Sequence, residues 1–176
     1  MYTLRLTRVP ENGTLKEAGL QLSLKELGLA VPFDPEGVLV DLELTRMMDK
    51  VYGKLKAKAS VTQTCGRCLK EFHQPVRADF SAIFEPTRKG EPLDPEADDG
   101  ELSVAYFDGD ELPVGEELRQ ELELCVPFSP LCSKSCPGLC PVCGKDLNDG
   151  DCGCPREQDS GPFAALKAKF KPEQEP

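Results

Sequence analysis

Four closely spaced cysteine pairs carry the chemistry of this chain: Cys65-Gly-Arg-Cys68, Cys132-x3-Cys136, Cys140-Pro-Val-Cys143 and Cys152-Gly-Cys154. Two thiols so spaced can face one ion while the backbone between them curls and its N–H groups donate to sulfur. Gly66, Pro141 and Gly144 suit such knuckles. Four thiolates close a tetrahedral structural zinc site, with Zn–S bonds of about 2.3 Å. Eight of the nine cysteines fall into these pairs, so the spacing predicts two Zn2+ ions per chain. Cys125, at helical spacing behind apolar residues, reads as a core side chain.

Two partitions of the ligands are open. One places Cys140, Cys143, Cys152 and Cys154 around one ion and Cys65, Cys68, Cys132 and Cys136 around the other. Its rival joins Cys132, Cys136, Cys140 and Cys143, and leaves Cys65/Cys68 with Cys152/Cys154. A third reading makes some pairs reduced buried thiols, or makes Cys65/Cys68 redox-active.

A catalytic zinc keeps an open position and usually takes a His or carboxylate ligand. The single histidine, His73, reads as a solvent-facing strand residue beside the first knuckle. No nucleophile triad, phosphate loop or dinucleotide fingerprint is present, so the expectation is a protein that is not an enzyme.

The elements that must position these pairs follow from periodicity. Val38, Val40, Leu42 and Leu44 alternate with polar residues; so do Leu55, Ala57, Ala59 and Val61, and then Phe72, Val76, Ala78, Phe80, Ala82 and Phe84. These predict an antiparallel meander, with a turn at Arg46–Asp49 and the Cys65–Cys68 knuckle at the next turn. Tyr2–Arg8 suggests an earlier strand, and Leu15–Leu29 is undecided between strand and helix. Residues 85–100, rich in Pro and acid, read as a long loop. Leu102, Val104 and Tyr106 suggest one more strand. Pro113 can open a helix that buries Val114, Leu118, Leu122 and Cys125, turns Glu116, Glu117, Arg119, Gln120 and Glu123 outward, and stops at Val126–Pro127. A last short helix is predicted around Phe163, Leu166 and Phe170. The fold class is thus α+β: an antiparallel sheet or small open barrel with one main helix (1–127), then a C-terminal zinc-ribbon-like lobe (128–176).

Net charge is −10 over 176 residues and is uneven. Residues 85–124 carry 14 acidic against 3 basic side chains, whereas residues 1–84 carry 12 basic and 10 acidic. The acidic middle suits a basic protein partner and repels nucleic acid. Lys54, Lys56 and Lys58, on one strand face, offer a secondary, weak RNA contact or a merely solvated surface. Met1–Val9 lacks the apolar core of a secretory leader, and no run of about 20 apolar residues could span a bilayer. A cytoplasmic protein with no membrane partner is expected, its cysteines metal ligands and not disulfides.

Taken in order, Thr64-Cys-Gly-Arg-Cys-Leu-Lys-Glu-Phe72, Leu124-Cys-Val-Pro127, Cys136-Pro-Gly-Leu-Cys-Pro-Val-Cys-Gly-Lys-Asp-Leu-Asn148, Cys152-Gly-Cys154 and Phe163-Ala-Ala-Leu166 resemble the YceD-like family over roughly residues 35–170. Its bacterial members are named large ribosomal RNA subunit accumulation protein. The resemblance implies a cytoplasmic ribosome-biogenesis factor needed for 23S rRNA accumulation. It supplies no catalytic residues. It points to a basic large-subunit ribosomal protein or pre-ribosomal particle as partner, the small zinc-binding ribosomal protein often encoded beside the family being the first candidate. From other classes, a thiol redox or zinc-sensing regulator and a zinc-ribbon nucleic-acid binder stand as alternatives.

Overall fold

Alternating apolar and polar side chains give each central strand one dry face, and that face builds the core. The computed structural model describes residues 1–30, 32–87 and 103–155. Its main sheet has five strands: β2 (Thr14–Leu22), β3 (Val38–Met47), β4 (Lys50–Thr64), β5 (Glu71–Pro86) and β6 (Ser103–Phe107), hydrogen-bonded in that order. Val38, Val40, Leu42 and Leu44 on β3, Leu55, Ala57 and Val61 on β4, and Val76, Ala78, Ala82 and Phe84 on β5 are all buried. A two-stranded ribbon pairs β1 (Leu4–Arg5) with β7 (Glu111–Leu112). The four-residue helix α1 (Leu24–Leu27), the main helix α2 (Val114–Leu124) and two 3-10 turns (Leu6–Arg8 and Leu147–Asp149) complete the described elements. α2 packs on β4, β5 and α1 and buries Val114, Leu118 and Leu122. Among the described residues no helix is long and apolar enough to cross a membrane.

The sheet is mixed, not antiparallel throughout. β2 to β5 run antiparallel as the periodicity predicts, but β6 lies parallel to β5, from Ala82↔Ser103 to Pro86↔Phe107. A parallel return needs a connection of a dozen or more residues, and residues 87–102 supply that length. Pro75, which has no N–H to donate, sits in the distal part of β5 where β6 does not reach.

Three local expectations change. The first strand is only Leu4–Arg5; the chain then tightens into a 3-10 turn at Leu6–Arg8, because Leu6 N–H donates to Asp110 C=O (2.8 Å) and Thr7 N–H to the Asp110 carboxylate (3.1 Å). Leu15–Leu29 is both a strand and a helix: β2 ends at Leu22, and a capping box between Ser23 and Glu26 starts α1. Glu117 does not face outward. It is 7% exposed and accepts from Ser103 Oγ, at the start of β6, at 2.6 Å. Of the loop predicted over residues 85–100, Glu85 and Pro86 are instead the end of β5, paired with Tyr106 and Phe107; the rest of it from 88 on, and the last short helix, lie outside the described residues.

Candidate metal centre

β4 and β5 form one long hairpin, paired from Val51↔Phe84 to Thr64↔Glu71, and its tip is the Cys65–Cys68 knuckle. Cys65 N–H donates to Lys70 C=O (2.9 Å) and Leu69 N–H to Cys65 C=O (3.0 Å), with Leu69 left-handed at φ 61°. The second knuckle repeats this backbone. Cys140 N–H donates to Lys145 C=O (2.8 Å), Gly144 N–H to Cys140 C=O (2.9 Å), and Gly144 has φ 73°. In each, an N–H two residues on points at the first sulfur: Arg67 to Cys65 Sγ at 3.5 Å, Val142 to Cys140 Sγ at 3.4 Å.

The tail after α2 runs back along the hairpin tip, held by Gln63 Nε2 to Pro127 C=O (3.1 Å) and Gly66 N–H to Pro130 C=O (2.9 Å). That path delivers Cys132 and Cys136 to Cys65 and Cys68. The sulfurs of this tetrad lie within 4.8 Å of one another, as do those of Cys140, Cys143, Cys152 and Cys154. This grouping is the first of the two partitions. Phe72, Leu131 and Leu139 pack around the first tetrad, whose Cys65, Cys68 and Cys136 are buried. The second is more open: Cys140 is buried, Cys152 and Cys154 are half-buried, and Cys143 is exposed.

Both tetrads fit a tetrahedral tetrathiolate metal. Zn–S bonds of about 2.3 Å imply S···S edges of about 3.8 Å, and the first tetrad has Cys65 Sγ–Cys136 Sγ at 3.9 Å and Cys68 Sγ–Cys132 Sγ at 3.6 Å. All nine cysteines are free. The metal-free thiols are poised unequally. N–H groups of Cys132 and Cys68 lower Cys65 to about 6, and those of Cys143 and Val142 lower Cys140 to about 6. Burial pushes Cys132 up to about 12, and hydrogen bonding to Cys143 and Cys152 does the same for Cys154. Four clustered thiols cannot all ionise unaided, so a divalent cation that binds here displaces protons.

Sequence reasoning missed the groups around the tetrads. Asn148 Nδ2 donates to Cys136 Sγ (3.4 Å) and is the main cause of that thiol's lowered pKa. Arg67 Nη1 donates to Cys136 C=O (2.9 Å). Lys70 Nζ pairs with Asp146 (2.9 Å) and Asp149 (3.2 Å), holding the Asp146 carboxyl at about 2. The one available signal was the repeated Cys-x2-Cys-x-Lys string at 65–70 and 140–145.

The other singled-out residues lie elsewhere. His73 belongs to neither tetrad; its largely exposed ring sits 3.1 Å from Asp34 Oδ2 and 3.0 Å from Thr62 Oγ1. Cys125 caps the end of α2, packs against the core, and burial raises its thiol pKa. Lys54, Lys56 and Lys58 are all exposed on one face of β4, and Lys56 pairs with Asp79 at 3.0 Å.

A family model described as "Large ribosomal RNA subunit accumulation protein YceD" matches residues 53–169. Two plant proteins, each described as "Large ribosomal RNA subunit accumulation protein YCED homolog 1, chloroplastic", are similar to the chain. The Zea mays protein is 26% identical over 158 residues, covering 76% of this chain and 54% of its own. The Arabidopsis thaliana protein is 23% identical over 176 residues, covering 82% and 55%. An uncharacterized Mycobacterium tuberculosis protein is 30% identical over 151 residues, covering 84% and 70%. The chain thus spans just over half the length of the plant relatives. No solved structure matches it.

Proposed function

The chain belongs to the YceD family of large ribosomal RNA subunit accumulation proteins, and on that premise we propose that it is a non-enzymatic, cytoplasmic ribosome-biogenesis factor. It supports accumulation of bacterial large-subunit (23S) rRNA by holding a basic large-subunit ribosomal protein or a pre-ribosomal particle. The family match carries the ribosomal part of this reading. The charge of residues 85–124, 14 acids against 3 bases, supports the choice of a basic partner.

Each tetrad holds one Zn2+, through Cys65, Cys68, Cys132 and Cys136 and through Cys140, Cys143, Cys152 and Cys154. Bound zinc supplies a cross-link: four thiolates fill its coordination sphere, as in a structural site. The residues do the rest. Knuckle N–H groups hold the sulfurs in place, and the zinc-ribbon-like lobe is thereby locked to the hairpin tip.

Glu117 is buried and cannot face a partner. The carboxylates available on α2 are Glu116, Glu121 and Glu123, of which Glu116 and Glu123 share Arg119. A second reading has one observation in its favour. Lys58 lies directly opposite Arg77 on the sheet face, and neither has a carboxylate partner among the described residues; like charges so placed repel and suit an external anion such as RNA phosphate.

The test is co-purification of the full chain with large-subunit precursors and their proteins, under reducing conditions and with metal analysis. About two zinc equivalents are expected, since each tetrad takes one ion. The triple change Glu116→Gln, Glu121→Gln, Glu123→Gln should weaken capture of a basic ribosomal protein, and Lys54→Gln with Lys58→Gln and Arg77→Gln should spare it. The reverse pattern, with capture of naked 23S RNA lost in the lysine and arginine variant, would favour direct RNA binding.

A further inference from the structure

We infer that the two tetrads form one cooperative metal unit, in which Asn148, presented by the loop of the second tetrad, is a positioning residue for Cys136 of the first. The inference rests on the metal reading above and concerns how the sites depend on each other.

The loop between Cys143 and Cys152 belongs to the second tetrad by sequence, yet its contacts lead to the first. Asn148 sits in a 3-10 turn (Leu147–Asp149) capped by Asp146, whose carboxylate accepts from both the N–H (2.8 Å) and the side-chain amide (2.7 Å) of Asn148. Those bonds fix the amide's direction, and its other hydrogen reaches Cys136 Sγ at 3.4 Å. An N–H···S bond stabilises thiolate over thiol and orients the sulfur, as outer-shell donors do at metal sites.

The backbone joins the same two places. Leu139 N–H donates to Arg67 C=O (3.1 Å) and Leu147 N–H to Gly138 C=O (2.9 Å), so the first knuckle, the linker 137–139 and the second tetrad's loop lie side by side. Gly138 permits this contact: a Cβ there would stand 2.9 Å from the Arg67 carbonyl oxygen. Lys70, two residues past Cys68, also reaches Asp146 and Asp149. No cysteine is shared between the tetrads, but the wall between them is.

An ion in the second tetrad therefore closes the loop that aims Asn148, and an ion in the first fixes the Cys136 that Asn148 addresses. Linkage makes the effect reciprocal: each site's occupancy raises the other's affinity by the same factor.

The experiment uses the full chain with Co2+ for affinities and 113Cd2+ for site-resolved resonances, the first tetrad's resonance being assigned with Cys132→Ser. Asn148→Ala should lower first-tetrad affinity about tenfold, within the range for outer-shell partners; it should lower second-tetrad affinity by the same factor while the first tetrad is filled, and leave it nearly unchanged when Cys132→Ser disables the first. It should move only the first tetrad's 113Cd resonance. Asn148→Asp, which keeps the shape but loses the donor, should weaken the site at least as much. Cys152→Ser with Cys154→Ser should weaken the first tetrad similarly, and adding Asn148→Ala to that pair should cost little more, a non-additive cycle. Additive losses, an unmoved first-tetrad resonance in Asn148→Ala, or Asn148→Asp behaving as the parent would overturn the inference while sparing the metal reading. A parent chain that binds neither ion would overturn both.

Discussion

The knuckles at Cys65 and at Cys140 share a backbone and differ in what stands behind them. Both close with an N–H to the carbonyl of a lysine five residues on, and both place a left-handed residue directly after the second cysteine. The first continues a ladder that runs unbroken from Val51↔Phe84 to Thr64↔Glu71, with Phe72 and Leu131 packed over it. The second has one isolated bridge, Leu139↔Asp146, a single 3-10 turn, and an exposed Cys143. One local geometry is thus supported by a continuous ladder in one place and, in the other, by an isolated bridge, a 3-10 turn and a few polar contacts to the hairpin tip. On the proposed metal reading an ion would have different work at the two sites: it would decorate a fold that exists at the hairpin tip, and it would make the fold in the lobe.

The sharpest way to break that contrast is to remove the metal. Chelation, or Cys143→Ser, should drop hydrogen-exchange protection across Leu139–Asp146 to the level of fraying loops, while amides of the β3–β4–β5 ladder stay protected. Protection that survives in the lobe after complete metal removal would mean that apolar packing holds it. Loss of the ladder as well would mean that the hairpin tip is no independent support.

Much of this was legible beforehand, for reasons that sort by range. Period-two alternation placed β3, β4 and β5, because a strand with one dry face must alternate. Cysteine spacing paired the ligands, because a short loop brings two sulfurs to one point, but it left two ways to combine the pairs until the tail's path along the hairpin tip delivered Cys132 and Cys136 to Cys65 and Cys68. What it could not show came from partners distant in sequence. Glu117 looks like a surface helix residue until β6 returns and Ser103 donates to it. The parallel direction of β6 depends on a long connection whose composition says nothing of direction. Asn148 and Lys70 carry no motif; their role exists only once the hairpin tip and the lobe meet.

A smaller effect sharpens the comparison at the left-handed position of the second knuckle. A Cβ on Gly144 would meet nothing within 4 Å, so Gly144→Ala tests backbone conformation alone. A non-glycine residue in this region costs about 1–2 kcal/mol. With no sheet to absorb the strain, the cost should appear as a roughly 5- to 30-fold lower metal affinity of the second tetrad by Co2+ titration. An unchanged affinity would show that the lobe reaches its geometry by another path.

The smallest expected effect is the mirror experiment. Leu69 occupies at the first knuckle the place that Gly144 holds at the second, with φ 61° and a side chain 63% exposed. Its left-handed backbone is the same kind of strain, and the ladder behind it is what keeps it there. Leu69→Gly removes that strain of about 1–2 kcal/mol but makes the unfolded chain more flexible, an opposing cost of roughly 0.5–1 kcal/mol. The exposed side chain contributes little burial to lose. The balance should be a stabilisation between zero and about 1.5 kcal/mol in urea denaturation of the metal-loaded protein, with first-tetrad affinity altered only a few-fold. A net destabilisation would show that the Leu69 side chain holds something the exposed surface does not reveal. A large change in first-tetrad affinity would show that the sheet does not dominate the geometry of its own tip, and the contrast between the two knuckles would fall.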